Sequence, residues 1–290
     1  MPLVKPSPCK INLLLNILCR RLDGFHELET VMYPVPLHDR LTLEETQAGI
    51  ELTCSHPTLS TGPDNLVHKA ARAFLETAAI DRGVRIHLEK RIPMEAGLGG
   101  GSGNAATTLL GMNELFGDPL PMETLDRVAA TLGSDVNFFL YNRPALAVGR
   151  GEKVEPLDPF PVMSRASLLL LHPGFGISTG WAYQSLARFP DALNGRPGRA
   201  REMIGVLQEG DLRRLGAALY NSLETPALEK YPYLALLKEY LLAEGAPAAL
   251  MSGSGSTVFA LLESADQAED LRGKVQARFE PAWSACVGLD

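Results

Sequence analysis

Two periodicities run through the chain. Residues 9–18 are apolar except for Lys10, Asn12 and Asn16, which predicts a buried strand. Lys10 and Asn12 are two apart and share one face, while Cys9, Ile11 and Leu13 share the other. A polar face of that kind fits a solvated edge or a site, and the pattern alone does not choose. Residues 20–27 (R-R-L-D-G-F-H-E) predict a turn centred on Asp23-Gly24. Residues 31–35, 39–44 and 51–54 predict further strands, that at 39–44 alternating in sidedness. Asp64 is placed to cap a helix that carries Ala70, Ala71, Phe74 and Leu75 at helical spacing.

After a strand at 84–89, a glycine-rich loop leads into a helix that ends near Phe116-Gly117. A short helix over 121–132 stops at Gly133, and Ser134-Asp135 then precede the apolar run 136–140. Residues 145–149 and 153–157 complete the first half. Prolines concentrate at 156–161, which sets the expected boundary between domains 1–157 and 158–290. The second half predicts strands at 167–172, 257–262 and 282–287. Helices are expected around 180–187, 200–209, 211–220, 231–243 and 266–277, with turns at 173–176 and 251–256. The order predicts an α+β fold.

Composition narrows the function classes. The 290 residues are 46% hydrophobic and 21% charged, which is ordinary for a globular chain. A net charge of −7 argues against nucleic acid or an anionic membrane as partner. Cys9, Cys19, Cys54 and Cys286 show no paired spacing, which argues against structural zinc and a disulfide framework. The opening residues hold no apolar signal core and no apolar run is long enough to cross a bilayer, so a cytoplasmic location is expected.

Candidate chemistry centres on P-M-E-A-G-L-G-G-G-S-G-N-A-A-T, starting at Pro93, in which Gly97, Gly99, Gly100, Gly101 and Gly103 fall within seven residues. Glycine lets backbone approach a bound group closely, and a following helix start presents unpaired N–H donors to an anion. Three readings compete: a flexible turn, a dinucleotide fingerprint, and a triphosphate cradle. The fingerprint should follow its strand directly, and residues 90–95 intervene. A Walker loop is excluded because no Lys-Ser or Lys-Thr follows the last glycine. The cradle is favoured with support from elsewhere in the chain.

That support is the joint order of P-C-K-I-N-L at 8–13, the glycine loop, and S-G-S-G-S at 252–256. Together they resemble the three motifs of the GHMP kinase family. Arg21-x-Asp23-Gly24-Phe25-His26, Asp64-Asn65-Leu66, Leu132-Gly133-Ser134-Asp135-Val136, His172-Pro173-Gly174 and Asn221-x-Leu223-Glu224 resemble the branch that acts on a cytidine diphosphate conjugate of methylerythritol. The resemblance implies a two-lobed fold, the N-terminal lobe like ribosomal protein S5 domain 2 and the C-terminal lobe ferredoxin-like, with the active site between them. It implies transfer of the γ-phosphoryl of ATP to the 2-hydroxyl of that small molecule in non-mevalonate isoprenoid synthesis, by a monomer or weak homodimer.

By the same resemblance, Asp135 orients or accepts the proton of the attacking hydroxyl and Lys10 sits beside it. Gly97, Gly99, Gly100, Gly101, Ser102 and Asn104 form the phosphate loop behind Pro93, while Asn65, Leu66 and Lys90 line the adenine pocket. Phe25 and Tyr183 sandwich the cytosine, His26 reads its polar edge, and Asn12 and Thr179 touch the erythritol and diphosphate. Without the resemblance, Asp135 reads as a turn carboxylate, Lys10 as a strand-edge lysine, Phe25 and Tyr183 as core and His26 as a turn histidine. Gly103 departs from the family, which more often has serine there. Mg²⁺ is expected from the chemistry of ATP, with no ligand assigned. Other GHMP kinases (homoserine, mevalonate) and a non-catalytic nucleotide-binding module are the alternatives.

Overall fold

The computed structural model describes residues 2–289. The elements begin with β1 (Leu3–Arg20), β2 (His26–Thr46), β3 (Ile50–Cys54), α1 (Leu66–Ala78), β4 (Gly83–Glu89), α2 (Gly100–Leu115), α3 (Met122–Leu132) and α4 (Val136–Tyr141). They continue with β5 (Ala145–Gly149), β6 (Lys153–Pro156), β7 (Ser167–His172), α5 (Thr179–Ser185), α6 (Pro190–Leu193), α7 (Arg199–Glu209), α8 (Leu212–Ala218) and β8 (Tyr220–Asn221). The last are α9 (Glu224–Lys230), α10 (Pro232–Ala243), β9 (Ala248–Met251), β10 (Val258–Leu262), α11 (Ala265–Phe279) and β11 (Trp283–Gly288). Two compact units result. One holds the residues up to Cys9, Leu37–Ile92 and Gly99–Asn142; the other holds Lys10–Pro36, Pro93–Leu98 and the described residues from Arg143 onward.

In the first unit, β4 pairs antiparallel with the end of β2, Leu41 opposite Leu88 and Leu43 opposite Ile86, and parallel with β3. These four side chains are buried, as alternation predicts for a sheet covered on one face. The covering helices are amphipathic: α1 buries Val67, Ala70, Ala71 and Phe74, a spacing that lines one face. Gly111 of α2 lets that helix approach the sheet, since a Cβ there would lie 3.2 Å from Leu43 Cδ1. Asn65, rather than the expected Asp64, caps α1. Its Oδ1 accepts from Val67 N–H at 2.8 Å, while Asp64 is engaged by the Ser60 hydroxyl. Asparagine caps as well as aspartate, so the choice falls to the local turn.

In the second unit, β5 pairs antiparallel with residues 28–32 of β2 and with β6. A separate antiparallel sheet runs β11-β7-β10-β9, with Leu170 opposite both Phe259 and Ala285. Its core joins Leu169, Leu171, Val258 and Leu262 to Leu234, Leu237 and Leu241 of α10 and to Leu271 and Val275 of α11. Removing that apolar surface from water is the main stabilising term here.

Three differences from the sequence reading have physical causes. Residues 31–35 and 39–44 belong to one strand, β2. Pro34 and Pro36 fall between the stretches paired with β5 and β4, where a missing N–H costs no ladder bond to either. The helix at Glu224–Lys230 was hidden by Pro226, which sits in its first turn where proline is tolerated. The four-residue strand at Ala248–Met251 is too short to carry a period. The four cysteines form no disulfide, Cys9 being buried and Cys19 exposed.

Candidate active site

The polar face of β1 is buried, not solvated. Ser7 to Ile17 is an unbroken buried run, and Lys10 and Asn12 are each 3% exposed. Inside the second unit these two residues meet the two glycine turns. Lys10 Nζ donates to Asn12 Oδ1 and, at 3.0 Å, to the Gly97 carbonyl. The Ser252 hydroxyl donates to that same carbonyl at 2.9 Å and accepts from Asn12 N–H at 3.3 Å. Asn12 Nδ2 donates to Thr30 Oγ1 at 2.8 Å, and Lys10 N–H donates to the Leu98 carbonyl at 2.9 Å. A side chain at Gly97 is impossible without rearrangement: φ is +74° and a Cβ would overlap the Ser252 carbonyl oxygen. The first, second and third sequence motifs therefore meet at one buried corner, with an ammonium fixed in it.

The rest of the glycine loop belongs to the first unit. Gly99, with φ +68°, precedes α2, and no side chain caps that helix. Its first turn, Gly100-Gly101-Ser102, carries no acidic residue of its own. Lys90 and Asn104 are held behind this turn. Lys90 Nζ pairs with Asp39, donates to Asn104 Oδ1 at 3.3 Å, and lies 3.4 Å from where a Gly100 Cβ would stand. Asn104 Nδ2 donates to Asp39 and Ser7, each at 2.9 Å. Leu66 packs beside Gly101, and Asn65 is occupied in capping α1. Gly103 is pressed against β1, where a Cβ would overlap the Pro8 carbonyl oxygen. Asp135 is half-buried immediately before α4, and Asn137 anchors that helix to α3 through the Asp126 carbonyl at 2.8 Å and Oδ1 at 2.9 Å.

The aromatic residues lie in the second unit. His26 and Tyr183 have ring centroids 5.1 Å apart, tilted by 37°. Phe25 is 50% exposed and carries the Arg150 guanidinium on its ring, 4.7 Å from the centroid. The turn beneath them is fixed by Arg21, which binds Asp23 and Glu27, and by Asp23 Oδ1, which accepts from Phe25 N–H at 3.1 Å. Burial, with Arg20 nearby, lowers the His26 pKa below the ordinary histidine value, so neutral imidazole is favoured. Thr179 opens α5, and its hydroxyl lies 3.1 Å from that of Ser254 in the third motif. Pro93 starts the loop segment that stays with this unit.

Sequence reasoning missed Asp39, Thr30, Ser252 and Arg150 as parts of these clusters. Ser252 stood inside a recognised motif and carried that signal. Asp39 gave none beyond being a carboxylate at the head of an alternating strand. Among the described residues no group of three or more His, Cys, Asp or Glu side chains is arranged to hold a metal ion. Among the described residues no helix is long and apolar enough to cross a membrane.

Residues 65–143 match the GHMP kinases N terminal domain, and residues 203–281 match the GHMP kinases C terminal domain. A Geobacter metallireducens protein named 4-diphosphocytidyl-2-C-methyl-D-erythritol kinase is 40% identical over 272 residues, covering 93% of this chain and 92% of its own. The chain belongs to the GHMP kinase family. A second GHMP kinase of the same name, from Pelotomaculum thermopropionicum, is 42% identical over 89% of each chain. The crystal structure of a 4-(cytidine 5'-diphospho)-2C-methyl-D-erythritol kinase superposes with a TM-score of 0.81 at 35% identity, covering 99% of both chains. The mixed α+β architecture is thus that of the GHMP kinases.

Proposed function

We propose that this chain transfers the γ-phosphoryl of ATP to the 2-hydroxyl of 4-diphosphocytidyl-2-C-methyl-D-erythritol, a step of non-mevalonate isoprenoid synthesis in the cytoplasm. The observation that carries the reading is near-full-length identity of 37–42% to enzymes bearing that name. The local geometry supports it. Phosphoryl transfer needs alignment and charge neutralisation more than covalent chemistry. The uncapped first turn of α2 offers N–H donors for phosphate oxygens, and Lys10 supplies a fixed positive charge.

In this reading Asp135 accepts or orients the proton of the attacking hydroxyl, and Lys10 stabilises charge as that hydroxyl becomes nucleophilic. Phe25 and Tyr183 stack on the cytosine. Neutral His26 reads its edge through ring nitrogens that offer one donor and one acceptor. Asn12 and Thr179 meet the erythritol diphosphate, and Asn65, Leu66 and Lys90 border the adenine. Mg²⁺ would arrive with ATP, holding most of its ligands as phosphate oxygens and water.

The test is turnover with the cytidine conjugate against homoserine and mevalonate. Preference for either competitor overturns the substrate assignment. Asp135→Asn is expected to abolish turnover with ATP binding retained; an unchanged rate removes the proton-accepting role.

A further inference from the structure

Asn221 is 3% exposed, and no step of the proposed reaction uses it. It lies in β8, which pairs parallel with β1 so that Asn221 stands opposite Leu15. Its side-chain bonds are all made. Nδ2 donates to the Met251 carbonyl at 2.8 Å and to the Gly253 carbonyl at 2.7 Å, and Oδ1 accepts from Leu223 N–H at 2.9 Å. Glu224 adds a bond from the next helix, its Oε1 accepting from Met251 N–H at 2.9 Å while Lys238 holds Oε2. One short segment thus grips the entry to the third motif turn at two carbonyls and one amide.

What that turn touches gives the grip its meaning. A Cβ on Gly253 would stand 2.9 Å from the Gly97 carbonyl oxygen, 3.1 Å from Lys10 Nζ and 3.3 Å from Asn12 Oδ1. The turn backbone therefore forms one wall around the Lys10 ammonium. Ser252, one residue earlier, binds the same Gly97 carbonyl that Lys10 binds. Displacing the turn removes a hydroxyl from that carbonyl and a wall from the ammonium together.

We propose that Asn221 is a positioning residue for phosphoryl transfer: by holding the Met251 and Gly253 carbonyls it fixes the third motif turn against Lys10, and so fixes where that charge sits. This rests on the kinase reading. An aspartate would keep the shape but turn the one nitrogen that makes both donations into an oxygen facing two carbonyl oxygens, an arrangement with no proton to share.

The experiment compares wild type with Asn221→Asp, and with Asn221→Ser in case the first variant folds poorly. Hydrogen exchange at residues 252–256 is measured, together with kcat per nucleotide-binding site titrated, well below each variant's Tm. The expected result is exchange at least tenfold faster at 252–256 with α10 and β7 unchanged. With it, kcat per site falls about thirtyfold while KM for ATP stays within about threefold. Unchanged exchange at the turn, or full kcat per site despite a freed turn, overturns the proposal. If wild type leaves the cytidine conjugate unphosphorylated, the substrate reading fails separately. Positioning is then judged on exchange and on slow ATP hydrolysis per site, where the same ratio decides.

Discussion

Lys90 and Asp39 form an ion pair at the foot of α2, with side chains 5% and 0% exposed. The ammonium lies against the first turn of that helix, where the dipole disfavours a cation, and Asp39 offsets it. Asp39 also accepts the backbone N–H groups of Arg91 at 2.7 Å and Ile92 at 2.9 Å. The carboxylate thus ties the end of the 84–92 segment to α2 through Asn104.

Asp39→Ala leaves that ammonium buried without a counter-charge. A loss of about 3–5 kcal/mol is expected in urea unfolding. The double variant Asp39→Ala with Lys90→Met recovers part of it, because the orphaned charge is gone. A double variant no more stable than the single one contradicts this account.

Gly103→Ser adds a side chain at a site that has no room for it. The Cβ overlaps the Pro8 carbonyl oxygen, so β1 or α2 must shift. About 1–3 kcal/mol of stability is expected to be lost, read as a lower urea midpoint with unchanged m. A neutral result would mean that the backbone yields freely there.

Arg150→Ala removes the guanidinium from the ring of Phe25. The contact is worth about 0.5–1 kcal/mol, so KM for the cytidine conjugate should rise roughly two- to fivefold, with KM for ATP unchanged. In a Phe25→Leu background the same substitution should add nothing. An equal rise for both substrates would place the effect elsewhere.

Acid should destabilise the fold through histidine. His172 is 7% exposed; its Nδ1 accepts from Gly174 N–H at 3.2 Å, so the proton sits on Nε2, which has no partner among the described residues. Burial lowers its pKa, and His26 and His38 shift the same way. The unfolded chain then takes up these protons more readily than the folded one. Stability is fully present above the ordinary histidine value, about 6.5, and is lost as pH falls below it. Tm should drop between pH 6.5 and 5, and less steeply in His172→Asn. An identical slope in that variant would clear His172 of the effect.

Periodicity exposed long elements such as α1 and the β7–β10 pair, because burying one face requires it. It misjudged β2, where prolines sit between partners, and gave no sign of α9, whose proline lies at a tolerated position. In the clusters, Lys10, Asn12 and Gly97 were readable because their motifs are contiguous. Asp39 was not readable as part of a site, and Asn221 was readable only as a member of a motif, without a role. Asp39 works 51 residues from Lys90 and Asn221 works 30 residues from Met251, and one sequence without that pairing shows only ordinary polar side chains.

The thiols differ in a way that is useful at the bench. Burial and Glu269 push Cys286 up to about 11, so it remains protonated at neutral pH and slow toward electrophiles, and Cys9 is enclosed. Cys54 is only partly exposed, so Cys19, exposed near the end of β1 and six residues ahead of Phe25, is the most accessible of the four. A maleimide dye attached there gives the unaltered chain an optical reporter beside the aromatic turn, and titrating the cytidine conjugate against its emission would follow occupancy without touching any residue of the site.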